Sequence, residues 1–105
     1  MYRKIYDISK HFNELKVYHT FAILDEDSKR ATELKKTIDK VHVLVDTVTH
    51  ENARHVLNEL IKGTKMKDIA DSMRMSLQWV YWCRSKYLKD VEQQIKAVID
   101  EGIRV

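Results

Sequence analysis

Little in this chain interrupts helical periodicity: it has no proline, and Gly63 and Gly102 are its only glycines. Proline breaks helix interiors and glycine punctuates them, so a 105-residue chain this poor in both is expected to be almost entirely helical. That length supports one domain, or a small domain with an extension, and leaves no apolar stripe to waste.

The stripes recur at intervals of three and four. Residues 3–24 place Ile5, Ile8, Phe12, Leu15, Val17 or Tyr18, and Phe21 with Ala22 along one helical face. Asp25, Glu26, Asp27 and Ser28 are the expected break, because such residues end one helix and cap the next. A second helix from Lys29 carries Ala31, Leu34, Ile38, Val41, Leu44 or Val45, and Val48 at intervals close to a heptad seam. The run Val41, Val43, Val45, Thr47, Val48, Thr49 also alternates like a strand, but no partner strand is offered elsewhere, so helix is expected. Neither stripe can stay in water. The two helices either close on each other as a hairpin within the chain or pair with a second subunit. In the second arrangement Ile5, Ile8, Phe12, Leu15, Leu34, Ile38, Val41 and Val45 form the seam of a homodimer.

From Thr49 a new helix is expected, with Ala53, Val56, Leu57, Leu60 and Ile61 inward and Gly63 as its stop. Thr64 is placed to cap the next helix, 65–73, whose Ile69, Ala70 and Met73 face the core. The chain turns at Arg74 and Met75, and Ser76 caps a longer helix with Val80 and Cys83 inward. Its continuation repeats Tyr87, Leu88, Val91, Ile95, Val98 and Ile99 before Gly102 ends it. The fold class is therefore all-α: a helical hairpin or coiled-coil segment over residues 1–50, then a trihelical helix-turn-helix unit with an extended C-terminal helix over 51–105.

The charge distribution singles out the same unit. Residues 1–61 are neutral overall, residues 62–89 hold seven Lys/Arg against two Asp/Glu, and residues 90–105 are net acidic. Basic charge gathered over a helix-turn-helix is what contact with the phosphates of double-stranded DNA requires, and the helix after Ser76 is the one that would enter a major groove. On it, Trp79 and Trp82 are expected to project outward or sideways, Gln78 offers the amide suited to adenine, and Arg84, Lys86 and Lys89 reach toward phosphate. Lys65, Lys67, Arg74 and Ser76 complete the candidate set. The neighbouring aromatics Trp79, Tyr81 and Trp82 would equally suit a protein interface.

Other chemistry finds little support. His11, His19, His42, His50 and His55 form no ligand-spaced cluster, there is no glycine-rich phosphate loop, and no nucleophile–base pattern stands out. No metal, cofactor, small-molecule substrate or catalysis is expected. Cys83 reads as a packed structural thiol, and the absence of a signal-like or membrane-spanning run points to a cytoplasmic protein.

The segment His55 to Val80, HVLNELIKGTKMKDIADSMRMSLQWV, resembles region 4 of sigma factors. It is closer still to the small sigma-like regulators of Gram-positive phages and integrated elements, the ArpU/RinA-type late activators. The resemblance implies a DNA-binding transcriptional regulator, with RNA polymerase as a candidate partner. It also implies that Ile69, Ala70, Met73, Met75 and Val80 pack, that Ser76 caps, and that Leu77 to Trp82 face the groove. The chain departs from the pattern at Arg74, where glycine is usual, and in its aromatic Trp79, Tyr81 and Trp82. Two further readings follow: a protein-interaction module on a helix-turn-helix scaffold, or a packaging protein like the small terminase subunits.

Overall fold

The computed structural model describes residues 7–104, and over them the chain is all-α. Helix α1 spans Ile8–Leu24, α2 Ser28–Asp46, α3 Glu51–Lys62, α4 Met66–Met73 and α5 Leu77–Cys83. A π-helical turn, Arg84–Leu88, joins α5 to α6, Lys89–Arg104.

Side chains that accept an otherwise unpaired amide mark most helix starts. Asp7 accepts from Lys10 N–H at 3.0 Å, Asp27 from Arg30 N–H at 3.1 Å, His50 Nδ1 from Ala53 N–H at 3.2 Å, and Ser76 from Trp79 N–H at 3.1 Å. The cap of α3 is thus His50, one residue beyond the Thr49 expected. Thr64 does not cap α4 either. Lys65 occupies that position without a side-chain bond, while the Thr64 hydroxyl donates to Glu59 Oε2 at 2.8 Å.

Three helices end by the same device. A residue one or two past the helix end turns left-handed, its amide reaches the carbonyl three back, and the next amide reaches the carbonyl five back. At Glu26 (φ 58°) these bonds run Glu26 to Ile23 and Asp27 to Ala22; at Gly63 (φ 93°), Gly63 to Leu60 and Thr64 to Glu59; at Arg74 (φ 56°), Arg74 to Asp71 and Met75 to Ala70. Glycine fills this position in one of the three.

The buried face of the last helix explains its π turn. Val80 and Cys83 are three apart, Leu88 follows after five, and Val91, Ile95 and Ile99 resume steps of three and four. A five-residue step would rotate an α-helix off its apolar face; the wider π turn absorbs it. Before the turn the helix packs on α4, at the turn on α3, and after it between α1 and α2.

The N-terminal helices therefore close on each other and on α6. Ile8, Phe12, Leu15, Leu34, Val41 and Val45 are buried and Ile38 half-buried in this chain's own core, so the seam expected to receive a second subunit is filled from within. Ile5 lies outside the described residues. Buried side chains run from Ile8 to Ile99 across residue 50 in a single cluster among the described residues. Val17, Tyr18 and Phe21, expected on the inner face of α1, are exposed instead, because the face that packs is set by Ile8, Phe12, Leu15 and Ala22.

Gly102 does not end α6, which continues to Arg104. Its role is contact: a Cβ there would stand 2.5 Å from Thr37 Cγ2 and 3.1 Å from Thr37 Cβ, so α2 and α6 approach to a distance that only glycine allows. Gly102→Ala is expected to destabilise the fold by about 1–3 kcal/mol through overpacking, despite alanine's better helix propensity. Thr37→Ala in the same chain should return part of that loss, a positive coupling measurable by urea unfolding of the four members of a double-mutant cycle.

The Thr64 hydrogen bond, opposed by partial burial and aided by Lys62 Nζ at 3.7 Å, holds the Glu59 carboxyl below its ordinary value. A depressed carboxylate contributes stability that is present above its unfolded pKa of about 4.3 and is lost as pH falls through the folded value. Thr64→Val is expected to raise the Glu59 titration midpoint, followed by side-chain NMR, and to flatten that acid-side loss.

Candidate nucleic-acid interface

Helix α4, the turn Arg74 to Ser76 and α5 form a helix-turn-helix held by a small buried contact set. Ile69 and Ala70 of α4 and Val80 and Cys83 of α5 are buried, and Met73 packs against them. Ala70 lets the helices approach, and the left-handed Arg74 redirects the chain within three residues of the Ser76 cap.

The outward face of α5 is Leu77, Gln78, Tyr81 and Trp82, with Tyr81 52% and Trp82 50% exposed. Trp79 is not part of it. It lies half-buried against the core, one helical position from the line of Val80 and Cys83 that fixes the inner side. Tyr81 takes the outward place assigned to Trp79, and the spacing relative to Val80 and Cys83 is the signal that distinguishes them. Met75, implied by the sigma resemblance to pack, is exposed at the turn.

Lys65, Lys67, Arg74, Lys86 and Lys89 are all exposed. Lys86 lies over Trp82 and Lys89 lines a groove with Tyr81, whereas Lys65 lines a cleft with Asp7, Ile8 and Ser9. Arg84 is not free to join them. Its guanidinium grips Glu92, with Nε at 2.9 and 3.1 Å from the two carboxylate oxygens and Nη2 at 2.8 Å, and its Nη1 reaches Met66 Sδ at 3.6 Å. That half-buried pair spans the π turn and ties it to α4. A groove of about 440 Å³ runs beside it, lined by Tyr81, Ser85, Lys89 and Lys96 among others.

Trp82 is oriented by an aromatic ladder. His50 stacks on Tyr87 with ring centroids 4.3 Å apart, Tyr87 meets Trp82 edge to face at 5.9 Å, and Lys86 Nζ lies 4.9 Å from the Trp82 ring and 5.5 Å from that of Tyr87. Because His50 Nδ1 accepts the α3 amide, the same side chain caps α3 and braces the aromatic edge of α5. Neither Tyr87 nor His50 was singled out for this by sequence pattern, since the ladder joins residues far apart in the chain.

Burial pushes the Cys83 thiol up, which keeps it protonated and inert. Among the described residues no group of three His, Cys, Asp or Glu side chains is placed to hold a metal ion, and no helix is long and apolar enough to cross a membrane. No family model, curated protein or solved structure matches the chain.

A non-glycine residue in the left-handed region costs about 1–2 kcal/mol. Arg74→Gly is therefore expected to raise stability by about 1 kcal/mol in urea unfolding, whereas Arg74→Ala, which keeps the strained φ, should change it by less than about 0.5 kcal/mol.

Proposed function

We propose that this protein is a sequence-specific DNA-binding transcriptional regulator of phage or mobile-element genes, reading the major groove with the helix that begins after Ser76. The observation that carries the reading is the exposed Leu77, Gln78, Tyr81, Trp82 face on the second helix of a helix-turn-helix, with Lys86 against Trp82, Lys89 in the groove beside Tyr81, and exposed Arg74 in the turn. The cations meet phosphates and fix the docking; the central face meets base edges. Trp82, held by Lys86 and Tyr87, meets the duplex as a pre-positioned surface, and Trp79 acts from behind by supporting α5.

The chemistry of the face favours A·T pairs. No Lys or Arg stands between Ser76 and Cys83, so the guanine contact commonest in major grooves has no donor there. Gln78 can bond adenine through both ends of its amide, and Leu77, Tyr81 and Trp82 suit the thymine methyl.

Selection of bound fragments from random duplex DNA tests this. Recovery of A·T-rich sites is expected, with affinity falling steeply as salt rises. Replacing Lys86 and Lys89 together by alanine should weaken binding to every sequence and reduce the salt slope by about 2. Gln78→Ala should instead relax preference at one base pair, at a cost of about 1–3 kcal/mol for the preferred site. A chain that retains no DNA but captures one defined protein through Leu77, Tyr81 and Trp82 would favour the second reading, a protein-docking face, which the same apolar exposure supports.

A further inference from the structure

We infer that the hollow between the first half of α1 and the end of α3 binds a phosphate group. Its volume is about 210 Å³, and Lys10, Asn13 and Lys16 of α1 meet Lys62 of α3 around it, with Ser9 at one side. Phe12 and Ile61, both buried, form its floor, and Lys16 Nζ is held 5.3 Å from the centre of the Phe12 ring. All three lysines are exposed, and among the described residues no carboxylate lines the hollow. Residues 1–61 are neutral in sum, so only folding gathers these cations in one place.

The neighbouring acids do not cancel this charge. Asp7 and Glu14 stand about 100° or more around α1 from Asn13 and Lys16; Asp7 accepts the Lys10 amide, and Glu14 meets His11 Nδ1 at 3.5 Å. Glu59 is nearer, with Oε1 3.7 Å from Lys62 Nζ and Oε2 taken by Thr64. Setting Glu59 against Lys62, and the negative end of the α3 dipole against the other two lysines, leaves a charge of roughly +1.5 over the hollow.

The donors suit phosphate better than carboxylate. Ammonium groups converging from two helices, with an amide and a hydroxyl between them, match oxygens spread around a tetrahedral centre, whereas the planar fork that grips a carboxylate is arginine's, and no arginine lines this hollow. Ser9 lines both this hollow and the cleft that holds Lys65 and Met66, so the site opens beside the start of the helix-turn-helix. Phosphate binding here is independent of what α5 contacts; assigning that phosphate to a DNA backbone rests on the proposed function.

NMR titration of the whole chain with inorganic phosphate, against chloride at matched ionic strength, tests the site, and duplex DNA binding identifies the source of the phosphate. Saturable shifts of the Asn13 side-chain amide and of the lysine ε-methylenes are expected. Lys16→Gln should weaken the response at least about fivefold without lowering the helical melt, since the side chain is exposed. Lys36→Gln, exposed on α2, should leave it unchanged. If the phosphate belongs to DNA, replacing Lys10 and Lys16 together by Gln lowers affinity for every sequence and reduces the salt slope by about 2. A phosphate response that depends on Lys16, beside DNA affinity indifferent to that pair, assigns the site to a free phosphate compound. The same response in a chain that retains no DNA removes the proposed function and keeps the site. A phosphate response that is absent or indifferent to Lys16→Gln, together with DNA binding that is absent or indifferent to Lys10 and Lys16, would overturn the assignment.

Discussion

One rotation of a helix face holds this molecule together. The last helical run must bury Val80 and Cys83 against α4 and then Leu88, Val91, Ile95 and Ile99 between α1 and α2. The five-residue step between Cys83 and Leu88 is absorbed by the π turn, and the Arg84–Glu92 pair bridges that turn from side to side. Without the π turn, either the helix-turn-helix or the three-helix bundle of α1, α2 and α6 would lose its apolar face. The turn also carries Lys86 and Tyr87, so the element that rephases the core is the one that orients Trp82.

The short connections show how a chain nearly free of glycine still turns sharply. Glu26 and Arg74 adopt the left-handed conformation that Gly63 adopts without steric cost, each repaid by two backbone hydrogen bonds that satisfy helix-end carbonyls. At Arg74 the strained position holds a cation exposed beside the α5 face. In the proposed function that residue meets phosphate, a reason for a side chain to stand where glycine would fold more easily.

Much of this was legible in the sequence. The lack of proline and the three-and-four spacing of Leu34, Ile38, Val41 and Val45 led to an all-helical chain, and Ser76 was recognisable as a cap from its place before an apolar run. Other features were written there but needed a reference direction to be read. Trp79 lies beside the Val80 and Cys83 line and Tyr81 opposite it, and Cys83 and Leu88 are five apart. Both are periodicity signals that an uninterrupted helix conceals. Thr64 and Gly102 looked like a cap and a stop, yet one bonds Glu59 and the other seats Thr37, because local patterns do not disclose which neighbour occupies the space.

What the sequence determined by itself was the set of elements: helical segments, the Ser76 cap, and a basic stretch from 62 to 89, all consequences of local periodicity and capping that act within a few residues. Tertiary structure decided which of two apolar stripes on α1 is spent inside the chain and which is left outside. It also brought His50 onto Tyr87, locked Arg84 to Glu92 and turned Trp79 inward. Those outcomes depend on contacts between segments far apart in sequence, where packing in three dimensions chooses among faces that local chemistry leaves equivalent.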